Sequence, residues 1–285
     1  MPKFLVTGVG GPAGRSLAVL LQERHCTYVG ADSRPLEPDS FPFFRVPMAR
    51  DDNFILTIQT IVRAEQVNWI IPTVSEELPV FSASWTDSIT SVLIGTAGAV
   101  ACANDKYLTA QILQQAGVSV PRFALPSQVG SARELTERIG WPCISKPRIG
   151  RGGREVTLNE DGNFSSIAAL SDAYILQEFA SGTDYAPELF IHPDRKTHVV
   201  AVIEKTELKE GKVGNATAVR RVDAPDVAET ALAAALAMGL SGPLDIDIRR
   251  RTDGVPVVLE INARFGANSR SAPEILDAAL AYMRS

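Results

Sequence analysis

A chain of 285 residues is long enough to bury two cores, and 45% hydrophobic with 21% charged residues is the make-up of an ordinary globular protein. Its net charge of −5 argues against nucleic acid as the main partner, because a phosphate backbone selects basic surfaces. No apolar run approaches a membrane span, no signal-peptide pattern precedes the first strand, and neither the three cysteines (Cys26, Cys102, Cys143) nor the three histidines have metal-type spacing, so the expectation is a cytoplasmic protein with reduced, buried thiols.

Residues 4–6 read as a short buried strand, 7–14 as a glycine-rich turn, 15–24 as a helix with apolar positions at Leu17, Leu20 and Leu21, and 27–32 as a second strand ending in Asp32. This is the layout of a dinucleotide-binding unit, with an acid about 20 residues after the glycines. The spacing of Gly8, Gly11 and Gly14 is similar to the short-chain dehydrogenase and epimerase fingerprint. Such enzymes need a tyrosine with a lysine four residues on, and none of the five tyrosines has one. Glycines that let a helix pack closely on a sheet therefore account for the loop better than NAD(P) chemistry does. Helices over 53–65 and 76–84, with strands over 67–72 and 91–95, continue the parallel pattern, giving one small open α/β domain over residues 1 to about 95. Glu76 and Glu77 follow a strand's C-terminal end, where such sheets bind ligands, but charge at a helix start explains them equally well.

A helix opens at Asn104-Asp105-Lys106, with Asn104 or Asp105 as its cap, and ends at Gly117. A lysine in a first helical turn gains nothing from the helix dipole, so Lys106 has reason to act elsewhere. A helix over 132–139 precedes a strand over 141–147 that ends in Lys146. Three glycines and three arginines over 148–154 then link it to a strand at 155–158. That loop suits a phosphate cradle, in which backbone N–H groups and cationic side chains meet an anion, and equally a solvated hairpin turn. Strands over 173–179, 185–191 and 198–206 follow, with a polar loop over 205–217 and an alanine-rich helix over 227–237 closed by Gly239. A last helix spans 271–283.

Between the last two helices, two alternating runs flank Asp253-Gly254, a strong hairpin signal. With those residues as the turn, Asp247 falls opposite Glu260 and Asp245 opposite Asn262, all on one face. Leu244, Ile246, Ile248, Leu259 and Ile261 form the other, apolar face. Carboxylates roughly 5 Å apart across a strand pair repel each other. A hard cation such as Mg²⁺ would relieve that repulsion, and an acidic solvent-facing hairpin is the plainer alternative.

Taken together, Asp105-Lys106, Lys146-Pro147 with its glycine loop, Gln177-Glu178-Phe179 with Gly182-x-Asp184-Tyr185, and Asp247…Glu260-Ile-Asn262-Ala-Arg264 occur in an order and spacing that resemble the ATP-grasp superfamily. The nearest branch is that of carbamoyl-phosphate-synthase-like proteins and carboxylate–amine ligases. The resemblance covers nearly the whole chain. It implies an α/β fold: a Rossmann-like pre-ATP-grasp domain over 1–95, then an ATP-grasp fold of two α+β subdomains over 96–285, with a smaller lid at about 120–180. It implies that Lys106, Lys146 and Gly150, Gly152 and Gly153 bind ATP phosphates, and that Gln177, Glu178, Phe179 and Ala180 form the hinge that reads adenine. Asp184 would meet the ribose. Asp247, Glu260 and Asn262 would hold one or two Mg²⁺, with Mn²⁺ as a substitute, and Arg264 would stabilise the transferred phosphoryl group. Arg270, with Asn268, is the candidate for recognising the acceptor carboxylate; a surface salt bridge would explain Arg270 as well.

The implied activity is phosphorylation of a carboxylate to an acyl phosphate that an amine attacks, releasing ADP and phosphate. Partners would be small carboxylate and amine substrates, without nucleic acid or membrane, and with pairing into a homodimer as in many such ligases. Asp247 stands where many relatives carry Glu or Gln. The chain also ends about twenty residues after Arg264, which implies an acceptor pocket that is open, completed by another subunit, or meant for a large partner. A non-catalytic ATP-binding homologue is a further alternative, and a single grasp domain disfavours a standalone carbamoyl-phosphate synthase.

Overall fold

The computed structural model describes residues 2–36, 40–150, 152–160, 162, 164–209 and 216–285. Arg151 of the glycine loop and residues 210–215 of the polar stretch expected over 205–217 lie outside them.

The first layer comprises β1 (Phe4–Thr7), α1 (Pro12–Glu23), β2 (Tyr28–Asp32), β3 (Phe43–Arg45), α2 (Phe54–Ala64), β4 (Trp69–Pro72), α3 (Glu77–Ser84) and β5 (Ser91–Val92). The strands run parallel in the order β3-β2-β1-β4-β5. Every residue of β1 and β2 is buried, as expected of parallel strands covered on both faces. Phe54, Ile58 and Phe81 from α2 and α3 pack with Leu5 and Val29 on one side. Leu17 and Leu21 of α1 pack with Phe4 and Val6 on the other, together with Ile275, Leu276 and Leu280 from the end of the chain. A Cβ at Gly14 would overlap the Gly8 carbonyl, so close approach of α1 to the turn after β1 demands glycine there. The carboxyl ends of β1 and β4 lie side by side, joined where Thr73 Oγ1 donates to the Thr7 carbonyl at 2.7 Å.

α4 (Ala97–Asn104) and α5 (Lys106–Gln115) meet at Asp105, whose side chain accepts from the N–H groups of Tyr107 and Leu108 at 2.9 and 3.3 Å. The Asp105 cap is as expected, whereas α4 has too little amphipathic contrast to read from sequence. A four-stranded antiparallel sheet follows: β6 (Phe123–Ala124), α6 (Ala132–Arg138), β7 (Cys143–Pro147), β8 (Thr157–Asn159), α7 (Phe164–Ala168) and β9 (Tyr174–Glu178), in the strand order β6-β9-β7-β8. It has its own core around Leu135, Ile139, Cys143, Ile167 and Leu176.

The largest sheet holds β10 (Asp184–Tyr185), β11 (Glu188–Ile191), β12 (His198–Ala201), β13 (Ile203–Leu208), β14 (Ala216–Arg221), β15 (Gly242–Arg250) and β16 (Pro256–Asn262), with α8 (Pro225–Ala237) and α9 (Pro273–Arg284). Its order is β12-β11-β15-β10-β13-β14, with β16 on the other side of β15. Pro187, which has no N–H for a ladder, splits the single strand expected over 185–191 into β10 and β11. β14 occupies part of the stretch expected to be loop.

The β15–β16 hairpin corrects the sequence argument in two places that cancel. Arg251 N donates to the Val255 carbonyl at 3.0 Å, so the turn is longer than the two residues Asp253-Gly254. Pairing near the turn is thereby shifted by one, with Ile248 opposite Val258. A bulge at Leu259 then restores the expected register, and Asp247 faces Glu260 and Asp245 faces Asn262. Leu259 was expected in the core; Val258 takes that role at 2% exposure, and Leu259 is only half-buried, lining a cleft.

Candidate active site

The cleft, about 540 Å³, lies where the three sheets meet. Its floor is the polar face of β15 and β16, which presents Asp245, Asp247, Glu260 and Asn262. Cationic side chains converge on these acids from three directions. Lys106, the first residue of α5, is 7% exposed, places Nζ 3.3 Å from Glu260 Oε2 and donates to the Gly150 carbonyl at 2.9 Å. Lys146, from β7, donates to the Leu259 carbonyl at 3.2 Å, an acceptor that the bulge turns into the cleft. Lys205, from β13, is ion-paired with Asp247 and, at 3.3 Å, with Asp184.

The protonation states follow from burial and from these neighbours. Burial, then the Glu260 and Asp245 charges, outweigh the Lys205 ammonium and push Asp247 up to about 7. Glu260 is equally buried, yet the ammonium groups of Lys106 and Lys146 overcome the desolvation and hold it down at about 2. Burial drives Lys146 down to about 8 despite its acidic neighbours. Lys205 goes the other way: Asp247 and Asp184 outweigh its desolvation and raise it above the ordinary lysine value. Facing buried carboxylates are costly to ionise together unless a cation lies between them. The donors here are all oxygens, two carboxylates and an amide, which suit a hard divalent ion. Among the described residues, no group of three or more His, Cys, Asp or Glu side chains forms a metal site, so a cation held here would complete its shell from ligand or water oxygens.

On the facing side, β9 runs into Phe179 and Ala180, which with Gln177 and Glu178 line the cleft. Gln177 is 2% exposed and its Nε2 bonds no group among the described residues. The segment is tied to both neighbouring sheets, with Glu178 N donating to the Arg122 carbonyl at 2.8 Å and Gly182 N to the Arg250 carbonyl at 2.8 Å. The Glu178 carboxylate is engaged with the Arg122 side chain at 3.2 Å. Asp184 lines the cleft and is held between Lys205 and Arg249; these three residues are directly opposite one another on β13, β10 and β15. Gly150, Gly152, Gly153 and Arg154 form the cleft's roof. Arg148, expected to add charge there, is instead bonded twice to Asp105, at 2.6 and 3.1 Å, and stacks over Tyr107.

Arg264 reaches the cleft and donates to Asp245 Oδ2 at 3.1 Å. Asn268 lines it too, but Arg270 is exposed on a 3₁₀ turn and is absent from the lining. Arg270 is thus the one candidate that the fold does not bring in. Three residues were missed. Lys205 and Arg249 join through pairings between strands distant in sequence, which no local pattern reveals. Glu188 is fully buried and accepts from Gly266 N and Ser269 Oγ, both at 3.1 Å, so it braces the turn that carries Arg264 and Asn268. Burial, reinforced by the Asp245 charge, raises it well above the usual carboxylate range. Its signal was an acid inside an otherwise apolar strand, Glu-Leu-Phe-Ile.

The first layer's own motif is turned inward. Asp32 Oδ2 accepts from Gly10 N at 3.0 Å and Oδ1 from Arg34 N at 2.9 Å, so the acid closes the glycine turn instead of facing the cleft.

The chain is also similar to known proteins. A probable alpha-L-glutamate ligase of Cellvibrio japonicus is 29% identical over 195 residues, covering 63% of this chain and 62% of that protein. A D-alanine–D-alanine ligase of Nitrosomonas eutropha is 25% identical over 187 residues, covering 61% and 60%. The chain thus spans about six tenths of the length of these relatives. Among solved structures, L-amino acid ligase from Bacillus licheniformis superposes with a TM-score of 0.73 at 16% identity, over 95% of this chain and 69% of that one, a likeness of fold. Residues 103–268, more than half the chain, match the model of the ATP-grasp domain, and the chain belongs to the ATP-grasp family.

Proposed function

We propose that this chain is an ADP-forming ligase that phosphorylates a small carboxylate with ATP and joins it to an amine. The observation that carries this reading is the convergence of Lys106, Lys146 and Arg264 on a floor of Asp247, Glu260 and Asn262. Phosphoryl transfer asks mainly for positioning and for neutralisation of charge on the phosphate oxygens, and this set supplies both. The domains would be a Rossmann-like layer over 1–95 and an ATP-grasp region over 96–285, with the sheet at about 120–180 as the lid.

In this reading, adenine lies against Gln177–Ala180, its ring nitrogens accepting from the Gln177 amide N–H and its exocyclic amino group donating to the backbone of 178–180. Asp184, with Lys205, faces the ribose end. Lys106, Lys146 and the turn at Gly150, Gly152 and Gly153 hold the phosphates. Asp247, Glu260 and Asn262 hold Mg²⁺, which when bound shields charge on the phosphates and aligns them for in-line attack. Lys106 and Lys205, now paired with Glu260 and Asp247, would exchange these partners for phosphate oxygens. A substrate carboxylate oxygen attacks the γ-phosphorus, ADP leaves, and Arg264 neutralises the oxygens of the group in flight. An uncharged amine then attacks the acyl carbon, phosphate departs with the bonding pair, and the amine gives up a proton to solvent.

The test is ADP release with Mg²⁺ and ATP across a panel of amino acids and small carboxylates, alone and in pairs. Phosphate and ADP formed in equal amounts, dependent on both partners, support the reading. Tight ATP binding with no release in any combination would make the chain a nucleotide-binding homologue. Stabilisation against heat by NAD(P) and none by Mg-ATP would overturn it.

A further inference from the structure

Arg148 opens the glycine loop, yet it does not line the cleft. Its guanidinium is engaged elsewhere. Nη2 and Nε donate to Asp105 at 2.6 and 3.1 Å, Nη1 donates to the Asp172 carbonyl at 3.2 Å, and the group sits 5.2 Å from the centre of the Tyr107 ring. The main chain is engaged as well: Arg148 N donates to the Ala173 carbonyl at 2.9 Å, and the Arg148 carbonyl accepts from Lys106 N at 3.0 Å. One residue therefore ties the end of β7 and the approach to β9 to the start of α5.

The neighbours of these bonds in the chain give them a meaning. Asp105 immediately precedes Lys106, and Arg148 stands between Lys146 and Gly150. Lys106 Nζ in turn donates to the Gly150 carbonyl at 2.9 Å, so this lysine and the glycine loop meet twice, once through backbone at Arg148 and once through the ammonium. Asp105 is a charged partner: burial opposes ionisation, but Arg148 and the N–H groups of Leu108 and Tyr107 hold its carboxyl below the usual range. A carboxylate–guanidinium fork fixes direction as well as distance, which a lysine in the same place would not do.

We propose that Arg148 is a positioning residue, whose fork on Asp105 holds Lys106 and the glycine loop in register to grip the ATP phosphates. The inference rests on the nucleotide reading above and gives Arg148 no contact with ATP: it acts through Lys106.

The test is a double-mutant cycle read by calorimetric binding of the non-hydrolysable analogue AMP-PNP, with Mg²⁺, to the full chain. Arg148→Met should weaken binding roughly fivefold or more by itself and less than about twofold beside Lys106→Met, because a lysine that is absent cannot be displaced. Arg148→Lys, which keeps the charge but not the fork, should recover only part of the loss. Asp105→Asn, which keeps a good helix cap but removes the charge, should weaken binding severalfold. If Arg148→Met does not fold, Arg148→Lys and Asp105→Asn carry the same cycle against Lys106→Met. Equal weakening with and without Lys106 would mean that Arg148 acts apart from that lysine, and unchanged or tighter binding in Asp105→Asn would mean that Arg148 reaches phosphate itself; either overturns the proposal. So does a lower melting temperature with unchanged AMP-PNP affinity, which would leave the fork a structural brace. In each of these cases the nucleotide reading stands. If the unmodified chain fails to bind AMP-PNP, that reading falls and this inference with it.

Discussion

Two regions of the molecule carry acids next to glycine-rich turns, and they use them in opposite ways. In the first layer, Asp32 spends its carboxylate on the N–H groups of Gly10, in the turn it closes, and of Arg34. On the β15–β16 floor, Asp247 and Glu260 are paired to lysines from β13 and α5, side chains that can be exchanged for other cations. An acid tied to backbone N–H groups is fixed structure, whereas Asp247 and Glu260 lean on long lysine side chains, which can turn to other partners. On the proposed reading, that difference separates scaffold from chemistry.

The sharpest way to break this contrast is at the floor. Glu260→Gln or Asn262→Ala should cut Mg²⁺-dependent ADP release by about 100-fold or more, as loss of preorganised charge stabilisation does elsewhere. Steady-state assays on variants with unchanged circular dichroism decide it, and normal turnover in either would remove the metal assignment. Lys146→Met should raise the ATP concentration needed for half-maximal rate by roughly tenfold, since a charge-assisted phosphate contact is worth about 1.5–3 kcal/mol. Denaturant titration and nucleotide binding should separate the first layer from the floor. Gly14→Ala, which overpacks the approach of α1 to Gly8, should cost about 1–3 kcal/mol of stability and leave ATP affinity of the folded fraction alone. Asp32→Asn should cost less, on the order of 1 kcal/mol, with no effect on turnover. The smallest effect concerns reactivity. Burial pushes the Cys143 thiol up to about 11, so iodoacetamide at pH 8 should label the half-exposed Cys102 first and reach Cys143 only on unfolding.

Local patterns carried most of the fold. Alternation exposed the acidic face of β15 and β16, the cap at Asp105 and the parallel run of the first layer were legible, and the order of the motifs pointed to the family. What stayed hidden depended on meetings between distant parts of the chain. Lys205 and Arg249 join Asp184 only because β10 lies between β13 and β15, a strand order that does not follow the chain. Arg270 failed for a related reason, since its distance in sequence from Arg264 says nothing about how the turn at Gly266–Ser269 rotates. The hairpin shows the same limit on a small scale. The facing of Asp247 and Glu260 came out right from a turn that was wrong, because the bulge at Leu259 compensated for the longer loop.

The packing of α9 has a consequence for how the chain is made. Leu17, Leu21 and Phe4 share their core with Ile275, Leu276 and Met283, the Trp69 indole donates to the Met283 carbonyl at 3.1 Å, and Arg24 pairs with Asp277. During translation, β1 and α1 leave the ribosome long before the helix that seals them. One apolar face of the earliest layer therefore stays open to chaperones, or to another nascent chain, until α9 has emerged. A carboxy-terminal truncation that spares every catalytic candidate would act first on yield and aggregation, through the oldest part of the chain.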